Sequence, residues 1–305
     1  MDALICTDLT KRYGSAAALN KVNIEVPTRG IFTLIGRNGA GKTTLTRILA
    51  TELMPSSGSA KINGLDVVED ARLLREEIAI LPQEARAIPW LTPRQSILSY
   101  LLYRGMGIGE ANRRIARVLG QLGIKKHADT LTRMLSGGMK RKVLLATVLA
   151  SEARILFVDE PTTGLDPISR AELWDVLNVI KKDCFIFLTT HYLEEAERLA
   201  DRIGILDEGK LMGLGTIDEL RSAIGYQYSV RVPRGEKVGK PSRGYVVRGS
   251  DGSAQIITTE DEANSIAKGL IGRKVRFSIN PVSLEDIFYY YVKKPIGNEE
   301  EDDEW

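Results

Sequence analysis

The 305-residue chain balances 42 Lys and Arg against 40 Asp and Glu, and its 43% hydrophobic and 27% charged residues are those of an ordinary folded protein. That composition argues against a disordered chain and against one embedded in a bilayer; the longest apolar runs, such as VLLATVLA from Val143, fall well short of the roughly 20 residues a spanning helix needs. The length exceeds one small domain, so a large α/β domain and a smaller companion are expected.

Taken in chain order, the N-terminal MDALICTDLTKRYG lacks the basic start and apolar stretch of a signal peptide, and a cytoplasmic protein is expected. Residues 1–36 read as β structure: alternation over 4–9 and in VNIEV from Val22, then the continuous apolar run IFTLIG from Ile31, which suits a buried strand. A helix is predicted over 41–50 and a short strand in IAILPQ from Ile78. Residues 84–150 turn helical, with segments near 94–103, 110–122 and 137–150, and predict an inserted helical subdomain. RILFVDEP from Arg154 and CFIFLTTH from Cys184 are buried strands flanking a helix over 167–182, an alternation that argues for a parallel sheet. Cys6 and Cys184, far apart and without C-x-x-C spacing, read as small buried hydrophobes rather than a disulfide or metal site.

RIGILDEGKLMGLG from Arg202 reads as a hairpin turning at Glu208 and Gly209, and TIDE from Thr216 as a capping box. The first domain is expected to span 1–222. VPRGEKVGKPSRG from Val232 marks a shift to Gly, Pro and Lys. Strands over 245–247 and 254–258, a helix over 262–271, a strand in KVRFSI from Lys274 and a helix opened by Ser283 predict a small α+β domain over 223–296. EEEDDE at 299–304 holds six acids, so the net charge of +2 rises to +8 without it. It predicts a solvated, disordered tail over 297–305 and a basic body suited to nucleotides, anionic lipid head groups or nucleic acid.

The loop Gly36, Arg37, Asn38, Gly39, Ala40, Gly41, Lys42, Thr43 fits G-x-x-x-x-G-K-[ST] directly after an apolar strand and before a helix, with Thr44 following. Its N–H groups and the helix N-terminus point at phosphates, Lys42 reaches the β and γ groups, and the Thr43 hydroxyl holds Mg²⁺. FVDEP from Phe157 ends an apolar strand in two carboxylates at the carboxyl edge of a parallel sheet, where ligands bind. Pro161 biases Glu160 to extended geometry, so that Asp159, serving the magnesium shell, and Glu160, deprotonating a water, project differently. In LSGGMKRK from Leu135, Ser136 is a good N-cap and Gly137 and Gly138 leave the first backbone N–H groups uncovered, which makes an anion site. Lys140, Arg141 and Lys142 oppose the helix dipole unless an anion or acidic neighbour comes close.

These pieces, with Gln83 in LPQ, GLDP from Gly164 and His191 in TTHYLEEAE, stand in the order of a known family, and the chain over about 2–220 resembles the nucleotide-binding subunit of an ATP-binding cassette (ABC) transporter. The resemblance implies an α/β P-loop NTPase cassette: a mainly parallel core sheet, an N-terminal antiparallel β part and an inserted helical subdomain, plus the small C-terminal α+β domain. It implies ATP hydrolysis with ATP and Mg²⁺, with Glu160, His191 and Gln83 catalytic and Thr43, Gln83 and Asp159 on the metal. His191 would contact the γ-phosphate, Gln83 the metal and lytic water, and Tyr13 in KRYG would stack on adenine, the alternative being a surface-turn tyrosine. His127 matches no motif and reads as a solvent-facing helix residue.

In that family Ser136, Gly137 and Gly138 would touch the γ-phosphate held by another subunit. Two cassettes, expected as a homodimer, would therefore meet head to tail around two ATP. Met139 replaces the commoner glutamine, a feature of drug-exporter-like members. Residues 226–294, ending in SLEDIFYYYV, resemble the accessory domain of bacterial and archaeal exporter ATPases of the daunorubicin-resistance type, expected to serve dimer contact or regulation. Phe288, Tyr289, Tyr290 and Tyr291 cannot all face one side of a helix. The expected function is that of an ATPase subunit peripheral on the cytoplasmic face of the membrane, powering export through a separate permease, with no nucleic acid. A soluble cassette ATPase acting on nucleic acid or ribosomes is the alternative; a nucleotide-gated module without hydrolysis is disfavoured by Glu160.

Overall fold

A computed structural model describes residues 2–235, 241–248 and 252–292. The chain divides into two compact units, Met1–Leu211 and Met212–Trp305.

In the first unit, β1 (Ala3–Tyr13) and β2 (Ala16–Pro27) form an antiparallel pair, with β4 (Ser57–Ile62) and β5 (Leu65–Asp66) on the other side of β1. The register sets Leu4 opposite Val26, Cys6 opposite Ile24 and Leu9 opposite Val22, so alternate residues bury one face. Cys6 is buried and Cys184 half-buried, and burial pushes both thiols up to about 12, so they stay neutral and act as small apolar groups.

The core sheet contains β3 (Ile31–Ile35), β6 (Ile78–Leu81), β7 (Ile155–Asp159), β8 (Phe185–Thr190) and β9 (Arg202–Asp207), in the order β9-β3-β8-β7-β6 and parallel throughout. Parallel pairing with the register Ile35 to Thr190, Asp159 to Thr189 and Val158 to Leu81 brings four strand ends to one edge. Every residue of β3, β7 and β8 is buried, which is why these segments read as unbroken apolar runs. Across the middle of the sheet Phe187 is registered with both Phe32 and Phe157, ring centroids 5.3 and 5.5 Å apart.

Around the sheet lie α1 (Lys42–Leu49), α2 (Ala71–Glu77), α6 (Pro167–Ile180) and α7 (Leu193–Leu199). Neither seven-residue helix was predicted: α2 buries only Leu74, too little to show a period. Between β6 and β7 come α3 (Pro93–Tyr103), α4 (Ile108–Gln121) and α5 (Gly137–Leu149), the expected helical insertion. A capping box opens α3, Gln95 N–H donating to Thr92 Oγ1 at 3.2 Å and Thr92 N–H to Gln95 Oε1 at 2.9 Å. Ala111, Ile115, Val118 and Leu119 form the buried stripe of α4 and share a core with Ile97, Leu101, Val143 and Ala146.

After the turn at Glu208 and Gly209, both at positive φ (44° and 75°), β10 (Lys210–Gly215) leads across the boundary between the units. In the second unit α8 (Ile217–Ile224) is opened by the Thr216 and Glu219 capping box, and β11 (Tyr228–Val232), β12 (Gly244–Arg248), β13 (Ala254–Thr258) and β14 (Ser278–Pro281) form an antiparallel sheet in the order β12-β13-β11-β14. The division at Leu211 puts α8, expected to close the first domain, in the second unit. Val230, Val232 and Ile256 of the sheet pack on Ala263 and Leu270 of α9 (Glu260–Gly272). The strand expected from Lys274 begins at Ser278, because Lys274 (φ 55°) and Val275 first close the end of α9, Val275 N–H reaching Leu270 O at 3.0 Å. In α10 (Leu284–Val292) Phe288 is buried while Tyr290 is 40% exposed, so the aromatic run is split between core and surface. The acidic tail predicted at 297–305 lies outside the described residues.

Phe187→Ala would remove the ring that joins two neighbours at the sheet centre. The expected cost is about 3–5 kcal/mol, seen as a lowered Tm and denaturant midpoint; a change below about 1 kcal/mol would contradict this packing.

Candidate functional site

The loop after β3 turns through Gly39 (φ 77°) and Gly41 (φ 105°) into α1. At Gly41 a Cβ would stand 2.4 Å from Ala18 O, and at Gly36 2.4 Å from Leu206 O, so both positions need glycine for close backbone approach. Arg37 is half-buried, Asn38 and Gly39 are exposed, Ala40 is buried and Thr44 is half-buried in the first turn of α1. Lys42, 5% exposed, folds back: its Nζ donates to Gly36 O at 2.8 Å and Arg37 O at 3.2 Å and lies 3.4 Å from Glu160 Oε1.

The carboxyl edge of β7 supplies the counterpart. Asp159 Oδ2 accepts from Thr43 Oγ1 at 3.0 Å, and its Oδ1 accepts from the buried Thr189 hydroxyl. Glu160 Oε2 accepts from Gln83 Nε2 at 3.0 Å and Thr163 Oγ1 at 3.3 Å, and lies 3.1 Å from His191 Nδ1. The structure thus gathers Lys42, Thr43, Gln83, Asp159, Glu160 and His191 on two adjacent acids; Gln83 reaches the second acid rather than the first. Burial pushes the Glu160 carboxyl up, but the hydrogen bond from His191 and the positive charge of Lys42 together outweigh it and hold the group below the ordinary glutamate range.

The extended geometry expected of Glu160 is not found. Its φ is 45°, a left-handed conformation uncommon for such a residue. Two sets of bonds impose it: Glu160 N–H donates to Thr189 O at 3.1 Å and Thr189 Oγ1 at 3.2 Å, while its carbonyl accepts from Arg141 Nη2 at 3.2 Å.

Ser136 caps α5, accepting from Met139 N–H at 3.3 Å, and with Gly137 it is exposed. Gly138 is a packing glycine, since a Cβ there would fall 2.3 Å from Ser169 Oγ of α6. Gly137 shares a cleft of about 500 Å³ with Gln83, Arg133, Lys140, Thr163 and Leu165. The basic run meets the condition set from sequence, that an anion or acidic neighbour come close. Arg141 is buried and donates to Pro161 O at 2.7 Å, and Lys142 Nζ lies 2.9 Å from Glu172 Oε2, so acceptors inside the unit offset the opposition to the helix dipole. Tyr13 is 52% exposed at the end of β1, with the Lys11 ammonium 5.3 Å from its ring centroid. His127, expected to face solvent, is half-buried in a short 3-10 turn.

A family model described as ABC transporter matches residues 19–163. The chain is 40% identical over 216 residues to the daunorubicin resistance ATP-binding protein DrrA3 of Streptomyces coeruleorubidus, covering 70% of this chain and 68% of that one. The chain belongs to the ABC transporter family. This ABC ATP-binding subunit is also 34% identical over 302 residues to DrrA2 of the same organism, 92% of each chain. With the Nod factor export ATP-binding protein I of Rhizobium etli it shares 36% identity over 225 residues, 72% of this chain and 71% of that one. Among solved structures, an ATP-binding subunit of an ABC transporter matches with a TM-score of 0.65 at 29% identity, covering 73% of this chain and 93% of that one. cbiO1 of Clostridium perfringens, part of an ABC transporter complex, matches with a TM-score of 0.65 at 26% identity, covering 74% of this chain and 94% of that one. The cassette fold and the family read from the motifs stand, and ATP hydrolysis is the reaction of the family.

Three residues in or near this ABC subunit's site were given no role in it from sequence. Thr189 pins both acids, and only its place, with Thr190, at the end of an apolar strand hinted at it. Arg141 was hidden inside a basic run. Glu195 of α7 is fully buried, accepts from Trp174 Nε1 at 2.9 Å and is pushed up by burial; nothing in its surroundings in sequence marks it.

Removing the His191 ring in His191→Ala takes away the main downward influence on Glu160, so its carboxyl should titrate at higher pH. In the native protein the ionised cluster stabilises the fold above the unfolded-state value and loses that stabilisation as pH falls through the depressed one; the variant narrows this window. Carbon-13 NMR of the Glu160 carboxyl checks it, and an unmoved midpoint would show that the bond has no electrostatic effect.

Proposed function

We propose that this chain hydrolyses ATP as one of two identical cassettes that close head to tail around two nucleotides and drive export through a separate membrane permease. The observation that carries the reading is the convergence of Lys42, Gln83, Thr163 and His191 on Glu160 beside the Thr43 and Asp159 pair.

The N–H groups of Gly36–Thr43 and the start of α1 receive the phosphates, with Thr44 behind them and Tyr13 stacking on adenine. A carboxylate and a hydroxyl 3.0 Å apart suit Mg²⁺, which takes few protein ligands and keeps phosphate and water oxygens. Asp159 and Thr43 would hold it, joined by the Gln83 amide, and when bound it offsets phosphate charge. Lys42 swings from Glu160 to the β and γ phosphates. Glu160 then loses the ammonium that depressed it, burial raises its proton affinity, and it becomes a better base for the attacking water. His191 and Gln83 orient Glu160 and the water from two sides. The exposed Ser136 and Gly137, with Gly138, offer the α5 N-terminus to the γ-phosphate in the other cassette.

The partner reading draws on the relatives, which are named as drug-resistance and Nod factor export ATP-binding proteins; the same names favour it over the soluble alternative. Among the described residues no helix is long and apolar enough to cross a membrane. We assign the second unit to dimer contact or regulation, and partnership with a permease would hold the protein peripherally on the cytoplasmic face.

Glu160→Gln is expected to lower ATP turnover ~10²-fold or more while ATP binding persists and an ATP-dependent dimer accumulates, read by phosphate release and sizing chromatography. Turnover at the native rate would reject the base. Ser136→Arg, blocking the α5 N-terminus, should abolish that dimer and cut turnover roughly tenfold or more; undiminished cooperative hydrolysis would reject the head-to-tail arrangement.

A further inference from the structure

Arg141 stands on α5 about one turn after Ser136, yet its guanidinium is spent on another segment. It is 9% exposed, and Nε donates to Pro161 O at 2.7 Å while Nη2 reaches Glu160 O at 3.2 Å and Asp159 O at 3.4 Å. A buried cation persists only where its surroundings compensate it. Three carbonyls do so here, together with the charges of Asp159 and Glu195, against a burial that pushes its pKa down. The three carbonyls belong to the stretch in which Glu160 holds its left-handed turn. The guanidinium therefore clamps the backbone whose conformation sets the direction of the Glu160 side chain.

The other contacts of α5 make this clamp part of a connected body. Gly138 is in close approach to Ser169, and Lys142 Nζ lies 2.9 Å from Glu172 Oε2, so the first turns of α5 and α6 are tied at two points. Ser169 in turn donates to Asp166 Oδ2 at 2.6 Å, the residue that caps α6. The close approach at Gly138 leaves little slack there between α5 and α6, and the next attachment along α5 is the Arg141 fork on residues 159–161.

We propose that Arg141 is a positioning residue through which α5 acts on Glu160: engagement of Ser136–Gly138 with the γ-phosphate of the opposite cassette is transmitted by the guanidinium to the catalytic carboxylate of the same chain. The inference rests on the assignment of Glu160 as base. Each subunit's hydrolysis then depends on its own α5 being docked. The fork geometry is required, because two nitrogens held in one plane, Nε and Nη2, meet Pro161 O on one side and Glu160 O and Asp159 O on the other, whereas an ammonium offers its protons from a single atom on a stem without that planar spread.

The test measures steady-state ATP hydrolysis by the full chain, with its permease where turnover requires it. Arg141→Lys keeps the charge, and thermal melts report whether it folds. It should lower kcat about tenfold with KM for ATP within about twofold, because the phosphate loop is untouched. In a double-mutant cycle with Ser136→Ala, the combined loss should fall well short of the product of the single losses, because both changes interrupt one chain of contacts. Should Arg141→Lys not fold, Arg141→Gln, whose amide can serve one carbonyl, is judged by the same criteria. Native kcat in the Arg141 variant, a rise in KM in place of the fall in kcat, or multiplicative losses in the cycle would overturn the proposal. Glu160→Gln run alongside separates the causes. Undiminished turnover there sinks the base assignment itself, whereas an inactive Glu160→Gln with an unimpaired Arg141→Lys sinks the relay alone.

Discussion

The ion pair between Lys42 and Glu160 is the contact around which the candidate site of the first unit is arranged. Both side chains are about 95% buried and lie 3.4 Å apart, and neither charge would be tolerable there alone. Lys42 satisfies its other protons on Gly36 O and Arg37 O, and Glu160 its other oxygen on Gln83, Thr163 and His191. The pair joins the end of β3 to the end of β7 across β8. It is therefore sensitive to anything that changes the alignment of those three strands.

That alignment is secured well away from the charges. Phe32, Phe187 and Phe157 lie in register across the three strands, and their packing sets the relative height of the strands. With the strands fixed, Thr189 is opposite Asp159, where one hydroxyl can donate to that acid and accept from the next residue's N–H. Glu160 is then turned into a left-handed conformation by bonds on both its N–H and its carbonyl side. The strain is local and sits at the residue proposed as the base.

The second unit is organised by the same rules with a different outcome. Its sheet buries Val230, Val232 and Ile256 against α9, and the buried Asp286 accepts from Ser283 N–H and Oγ at 2.8 Å. Tyr245 lies among Tyr226, Tyr289 and Tyr290, ring centroids 5.9, 6.2 and 6.0 Å away, with its hydroxyl donating to Asp286 O at 3.2 Å. Burial, with the Asp286 charge second, pushes the Tyr245 phenol well up, so it remains a neutral hydrogen-bond donor. These are features of a packed core and its edge rather than of a second catalytic centre.

Much of this was legible before any coordinates, because the information was local. A strand buried on both faces must be apolar throughout, a phosphate loop needs glycine at its tight positions, and acids at a strand end are visible as FVDEP. Family order then linked Gln83, Ser136 and His191 to the same function. Short helices with one buried residue, such as α2, escaped because they carry no period. The backbone at Glu160 was misjudged because the effect of Pro161 is a weak local bias, overridden by bonds from Thr189 and Arg141 that are 29 and 19 residues away. The chain by itself thus determined which residue types were available and the strand and loop on which each stood. The tertiary fold alone decided that Lys42 would lie against Glu160, that Arg141 would be a buried brace rather than a surface cation, and that Gly138 was needed for α6. Those outcomes depend on which distant groups come within hydrogen-bonding distance, and that is set by packing rather than by sequence neighbourhood.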